Sequence, residues 1–167
     1  IDHGSDTPSA KATIVASKVG KTISGSVASG IEQINDSHGG AQEKLMEILY
    51  QVESEKLKIK VLVAEYIGQS KRVPGYGHRI YKEIDPRAQL ILDELGKIRM
   101  GQEFIDMARE LEGELKSQTG KQLPLNIDGA IAVALCSFGW EPRLGKAVFI
   151  IARTPGLCGQ FLNNPQK

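Results

Sequence analysis

Apolar residues recur every three or four positions along almost the whole of this 167-residue chain, a period that suits a helix far better than a strand. Thr7-Pro8-Ser9 offers a capping residue and a helix-opening proline ahead of a helix over 10–19 that stops at Gly20. From Thr22, the residues Ile23, Val27, Ile31 and Ile34 fall on one helical stripe, interleaved with Gly25, Ser29 and Gly30. Glycine inside a helix costs up to ~1 kcal/mol against alanine, so a surface kept this small predicts a close helix crossing, within the chain or across a homodimer. Ala41, Leu45, Ile48, Leu49 and Val52 mark a third helix after Gly39-Gly40. One stretch breaks the pattern, because Leu57, Ile59, Val61 and Val63 alternate as strand residues do. No second strand is present to pair with it, so 56–66 is read as helix. A loop punctuated by Gly and Pro covers 73–85, and Pro86 opens a helix with Ala88, Ile91, Leu92 and Leu95 on its apolar face. Further helices are expected over 104–115, over 130–138 beginning at Asn126 or Asp128, and from Pro142 to Ile151, with Gly139-Trp140-Glu141 as the last turn. The fold class is all-α.

Composition narrows the partners. Net charge is +1 with no basic block, so the footprint of a nucleic-acid binder is missing. No apolar run approaches the ~18 residues of a membrane span, and the opening residues are not expected to be a leader. Cys136 and Cys158 have no CxxC spacing and read as free thiols of a reducing compartment. The expectation is a cytoplasmic protein away from membranes. The first residues, Ile1-Asp2-His3-Gly4, look like part of a site rather than a start, which predicts that the chain begins partway through a longer polypeptide.

All three histidines adjoin glycine: His3-Gly4, His38-Gly39-Gly40 and Gly77-His78. Glycine lets backbone approach a ligand and adopt unusual dihedrals. The histidines lack HxH or HExxH spacing and a cysteine partner, so no metal site is expected. Gly75-x-Gly77 lacks the third glycine of a dinucleotide fingerprint, and Gly120-Lys121 lacks the earlier glycine of a phosphate loop, Leu115 standing there.

The segment Val73-Pro74-Gly75-Tyr76-Gly77-His78-Arg79-Ile80-Tyr81-Lys82-Glu83-Ile84-Asp85-Pro86-Arg87-Ala88 resembles the signature of the citrate synthase family. Ser37-His38-Gly39-Gly40-Ala41, Leu125-Asn126-Ile127-Asp128-Gly129 and Ala152-Arg153-Thr154-Pro155-Gly156-Leu157 resemble three further segments of that family, in its order. The resemblance implies an all-helical fold with a small coenzyme A-binding domain over 42–129 set into a larger helical domain, to which 1–41 and 130–167 belong. It implies acyl-CoA and oxaloacetate as substrates or products. The methyl group of a thioester is a weak carbon acid, so its deprotonation needs a placed base and a stabilised enolate oxygen. By the resemblance Asp128 is the base, His38 donates to the thioester oxygen, and His78 exchanges a proton with the oxaloacetate oxygen. Arg87 and Arg153 match carboxylate clamps, a task suited to guanidinium, and His3 matches a further carboxylate-binding position. Gly75, Tyr76 and Gly77 match a loop that wraps the coenzyme A adenine, and Lys82 a cation for its phosphate. Plainer readings stand beside these: Arg87 as a first-turn helix residue, Arg153 as a surface cation, Lys71-Arg72 as a solvated charge pair, and Asp128 as a helix cap.

Two features point to a subtype. Asp128 is followed by Gly129-Ala130-Ile131-Ala132, and Gly4 with Pro8-Ser9 follows His3; both resemble citryl-CoA lyases and the citrate synthase-like module of ATP-citrate lyases. Cleavage of citryl-CoA is therefore the expected activity, with citrate or 2-methylcitrate synthase and a coenzyme A-binding module without turnover as the alternatives. The large helical portion that precedes the His3 segment in full-length relatives, and the tail arginine many of them carry, are not among these 167 residues.

Overall fold

The computed structural model describes residues 4–164. Among them are eight α-helices: α1 (Pro8–Lys18), α2 (Ile23–Ile31), α3 (Ala41–Glu55), α4 (Ile59–Gly68), α5 (Pro86–Lys97), α6 (Gln102–Thr119), α7 (Ile127–Ser137) and α8 (Arg143–Leu162). Strand pairing among the described residues is limited to two isolated antiparallel bridges, Asn35 with His38 and Tyr76 with Leu125. The all-α expectation holds.

The chain divides into two compact units, Ile1–Gly40 with Lys146–Lys167, and Ala41–Gly145. In the first, α1 packs on α2. Thr7 caps α1, its hydroxyl accepting from Ala10 N–H, as its place before proline predicts. The crossing is close because Gly30 sits against α1: a Cβ there would lie 2.8 Å from the Ser9 carbonyl oxygen and against the Thr13 hydroxyl. That glycine is used within the chain. Helix α8 runs on past Ile151 to Leu162 through Pro155, where proline removes one helical N–H; just before it, Thr154 Oγ1 donates to Ile150 O at 2.7 Å.

In the second unit, Leu45, Met46 and Leu49 of α3 are fully buried, as are Ala130, Ala132 and Val133 of α7, against which α3 packs. α7 also packs on α5 and α6. Being apolar on nearly every side, it needs neighbours all round. Residues 130–145, expected in the larger domain, therefore lie in one unit with 42–129. The alternating stretch resolves as helix α4: Ile59, Leu62 and Val63 are buried at helical spacing, whereas Val61 is 47% exposed. A strand would have put Ile59, Val61 and Val63 on one face.

Candidate active site

The sequence-predicted residues fall into two clusters, one in each unit. His3 lies outside the described residues.

In the unit 41–145, the loop before His78 is clamped to the start of α7. Gly77 N–H donates to Pro124 O at 2.8 Å, and Asn126 N–H donates to Gly75 O at 2.9 Å. Asn126 Nδ2 adds a bond to Gly77 O at 2.9 Å, and the Tyr76 hydroxyl donates to Ala108 O of α6 at 2.8 Å. Positive φ angles of 81° at Gly75 and 77° at Gly77 make this turn, a conformation that favours glycine. Gly75 and Gly129 touch backbone to backbone: a Cβ on Gly129 would stand 2.5 Å from Gly75 O. This clamp brings the His78 and Asp128 segments together.

Asn126, rather than Asp128, caps α7, its Oδ1 accepting from the N–H groups of Asp128 and Gly129. Asp128 is thus relieved of capping. It sits in the first turn, where the helix dipole favours a carboxylate, and its Oδ1 accepts from Gln42 Nε2 at 2.8 Å.

His78 is held through Nδ1, which accepts from the Ile80 and Tyr81 N–H groups at 3.1 and 3.2 Å. In neutral imidazole the hydrogen then resides on Nε2. Tyr81 stacks on the ring at 4.9 Å between centroids. Nε2 faces Arg87 Nη2 at 3.4 Å. An arginine only donates, so two donors converge here, an arrangement that suits an anionic oxygen of a ligand. Arg87 is steadied by buried Asp85: Nε donates to Oδ1 at 2.9 Å and Nη2 to Oδ2 at 2.7 Å. Asp85 also caps α5 and takes Ile127 N–H at 3.1 Å. The hydrogen bond to Asp85, foremost, outweighs the desolvation of the guanidinium, and with the charges of Asp85 and Asp128 holds it protonated.

Burial drives the Asp85 carboxyl upward, but bonds from the Arg87 side chain and backbone, the Arg87 charge and the Ile127 N–H outweigh it, leaving a value below the ordinary one. A depressed folded-state value means that this stabilisation is present above the unfolded carboxyl value of ~3.9 and is lost as pH falls through the lower folded one. Asp85→Asn is accordingly expected to destabilise the protein by about 2 kcal/mol at pH 7, discounted for the partly exposed Arg87. Urea titrations at pH 7 and pH 3 should show the gap shrinking in acid; a gap independent of pH would refute the assignment.

Beside His78 opens a cavity of about 770 Å³, whose lining includes Lys71, Arg72, Arg79, Lys82 and Lys121 together with Tyr76 and Gly77, and no Asp or Glu among its described residues. Five cations around one hollow suit a polyphosphate. Lys82 Nζ also donates to His78 O at 3.1 Å. Gly75 is absent from this lining and takes part in the clamp. Arg79 and Lys121 were not singled out from the sequence, where each looks like a surface cation.

The other unit gathers His38 and Arg153. His38 closes a tight turn, exchanging two backbone hydrogen bonds with Asn35 at 3.0 Å. Gly39 is required beside it: its φ is 93° and a Cβ would lie 2.5 Å from the Phe149 ring. Phe149 meets the His38 ring edge-on at 5.7 Å, and the Arg153 guanidinium lies 4.9 Å above Phe149. Arg153 is 3% exposed, so it is no surface cation. Its Nη1 donates to Ser9 Oγ at 3.3 Å, and Ser9 Oγ lies 2.9 Å from His38 Nε2. Ser9 Oγ accepts from the arginine and still has its own hydrogen to give; with that hydrogen on the Nε2 side, the imidazole hydrogen stands on Nδ1. Burial first, and the Arg153 charge second, push the His38 pKa down and favour the neutral ring. Ser9, buried within α1, stands in the sequence only as a residue near a helix start and as part of the Pro8-Ser9 pair that resembles the lyases; its bonds to Arg153 and His38 have no sequence signal.

Known proteins share this sequence pattern and this arrangement of helices. The family described as citrate synthase, C-terminal domain, matches residues 1–167. The citryl-CoA lyase from Hydrogenobacter thermophilus superposes with a TM-score of 0.89 at 38% identity, over 98% of this chain and 64% of that one. A probable ATP-citrate synthase of Dictyostelium discoideum is 32% identical over 97% of this chain. The citrate synthase of Helicobacter pylori is 30% identical over 98% of it. The chain spans 28% and 40% of the length of those two relatives. With a clamped Gly-Tyr-Gly-His loop, a half-buried histidine set against Ser9 and Phe149, and a family match across its full length, the chain belongs to the citrate synthase family through that family's C-terminal domain.

Proposed function

We propose that this chain carries catalytic residues of an enzyme that cleaves citryl-CoA to acetyl-CoA and oxaloacetate. The observation that carries the reading is the convergence of His78 Nε2 and the Arg87 guanidinium, 3.4 Å apart, in the same unit as Asp128. In the proposed reaction Arg87 and Arg153 hold carboxylates. In the condensation direction His78 gives its Nε2 hydrogen to the oxaloacetate carbonyl oxygen as the C–C bond forms. Cleavage retraces that step, the tertiary hydroxyl proton returning to Nε2 of the deprotonated ring as the C–C bond breaks and the carbonyl forms. Asp128 exchanges the proton at the acetyl carbon, and neutral His38 donates from Nδ1 to the thioester oxygen. The cation-lined cavity takes the phosphates of coenzyme A.

Cleavage rather than hydrolysis is supported by the character of α7 beyond Asp128. Gly129, Ala130, Ala132 and Val133 are buried and apolar. The first hydroxyl after Asp128 in α7, Ser137, donates to Val133 O at 2.8 Å. This stretch after Asp128 has no side chain able to orient an attacking water. The second reading, a citrate synthase, is supported by the Helicobacter relative, whose identity is similar to that of the ATP-citrate synthase. Product analysis separates the two. Supplied with citryl-CoA, the enzyme is expected to release acetyl-CoA and oxaloacetate with the thioester intact, and supplied with those two products it should liberate little free thiol. Rapid, stoichiometric release of free coenzyme A would assign the synthase reaction instead, and bound citryl-CoA without either product would leave a binding module.

A further inference from the structure

We propose that Gln42 is the positioning residue for Asp128: its buried amide orients the carboxylate and stays bonded to it when the group takes up a proton. The proposal rests on the reading of Asp128 as the base. Gln42 is the second residue of α3 and is 0% exposed. The backbone of Gly145 closes over it, so closely that a Cβ on Gly145 would lie 3.1 Å from Gln42 Cβ. Confined there, Gln42 Nε2 donates to Asp128 Oδ1 across 86 residues at 2.8 Å, the short length of a bond to a charged acceptor.

The other end of the amide is informative. Gln42 Oε1 is buried with no hydrogen-bond partner, and an orphaned buried oxygen destabilises a fold. A methionine has nearly the same length and would fill the space without that cost. What it would lack is any bond to Asp128. An amide has a donor at one end and an acceptor at the other. With Asp128 ionised, Nε2 faces it. Once Asp128 is protonated, a half-turn of the amide presents Oε1 to the carboxyl hydrogen. Either orientation leaves one amide atom unmatched, so the turn exchanges like for like and the carboxyl keeps one geometry through the proton cycle. A base held in place in both protonation states avoids reorganisation during proton transfer.

The test uses Gln42→Met in the full natural polypeptide that carries this sequence, with Asp128→Asn measured alongside. The expected result for Gln42→Met is a fall in kcat of ~10-fold to ~100-fold with KM changed by less than about 2-fold. Exchange of acetyl-CoA methyl protons with D2O should slow in parallel, and the melting temperature should not fall. If Gln42→Met keeps its kcat while Asp128→Asn loses it, the positioning role is overturned and the base assignment stands. If Asp128→Asn keeps its kcat, the base assignment itself is wrong. A rise in KM together with a lower melting temperature would make Gln42 a structural residue, and so would failure of both Gln42→Met and Gln42→Leu to fold.

Discussion

Asp128→Asn is expected to remove turnover by ~10³-fold or more, since it deletes the carboxylate proposed as the base for carbon–hydrogen chemistry, while coenzyme A thioesters still bind. Size is retained, and the environment tolerates the change. The helix cap is Asn126, so α7 does not depend on the Asp128 carboxylate for its start. Gln42 Nε2, 2.8 Å from Oδ1, can donate to an asparagine carbonyl as well as to a carboxylate. The cations of the cavity beside His78 lie on the loop and just after α6, and the substitution touches none of them. Steady-state kinetics, thermal melting and thioester binding by the one variant would therefore separate loss of a base from loss of a fold. Undiminished activity would place the proton acceptor elsewhere in the enzyme.

Gly129→Ala is expected to harm both stability and activity, and for a different reason. The added Cβ would stand 2.5 Å from Gly75 O and 2.5 Å from Leu125 Cδ1. The first neighbour is backbone, and it cannot retreat freely. Gly75 O already accepts from Asn126 N–H, and Gly77 N–H is tied to Pro124 O. Relief must come by parting the His78 loop from the start of α7. Overpacking of this kind costs about 1–3 kcal/mol. A displacement of about 1 Å between the segments bearing His78 and Asp128 should lower kcat by ~10²-fold. Gly113→Ala is the natural control, because a Cβ there meets nothing within 4 Å in the middle of α6; it should gain ~0.5–1 kcal/mol from helix propensity. Denaturant titration of both variants checks the contrast. A Gly129→Ala protein as stable and as active as the parent would mean that the clamp yields without consequence.

Much of this protein is written locally. Helix identity, the Thr7 cap, the prolines that open α1 and α5, and the glycine turns around His38 and His78 depend on residues close to one another in the chain, and a sequence displays those neighbours directly. The ordered motifs carry the family, and with it His38, His78, Arg87, Asp128 and Arg153 as candidates. Other features require the tertiary structure. The alternating apolar residues at 57–63 fit strand and helix equally until burial of Ile59, Leu62 and Val63, with Val61 exposed, decides for the helix. Asn126 and Asp128 are both plausible caps by sequence, and only the bonds from the first N–H groups of α7 to Asn126 Oδ1 choose between them. The bonds from Arg153 to Ser9 across 144 residues and from Gln42 to Asp128 across 86 have no local signature. Nor do Arg79 and Lys121, which reach one cavity from segments far apart in the chain. A side chain's nature is local, but what it faces when buried is set by the packing of distant helices. Packing therefore decides what Arg153 and His38 bond and what holds Asp128.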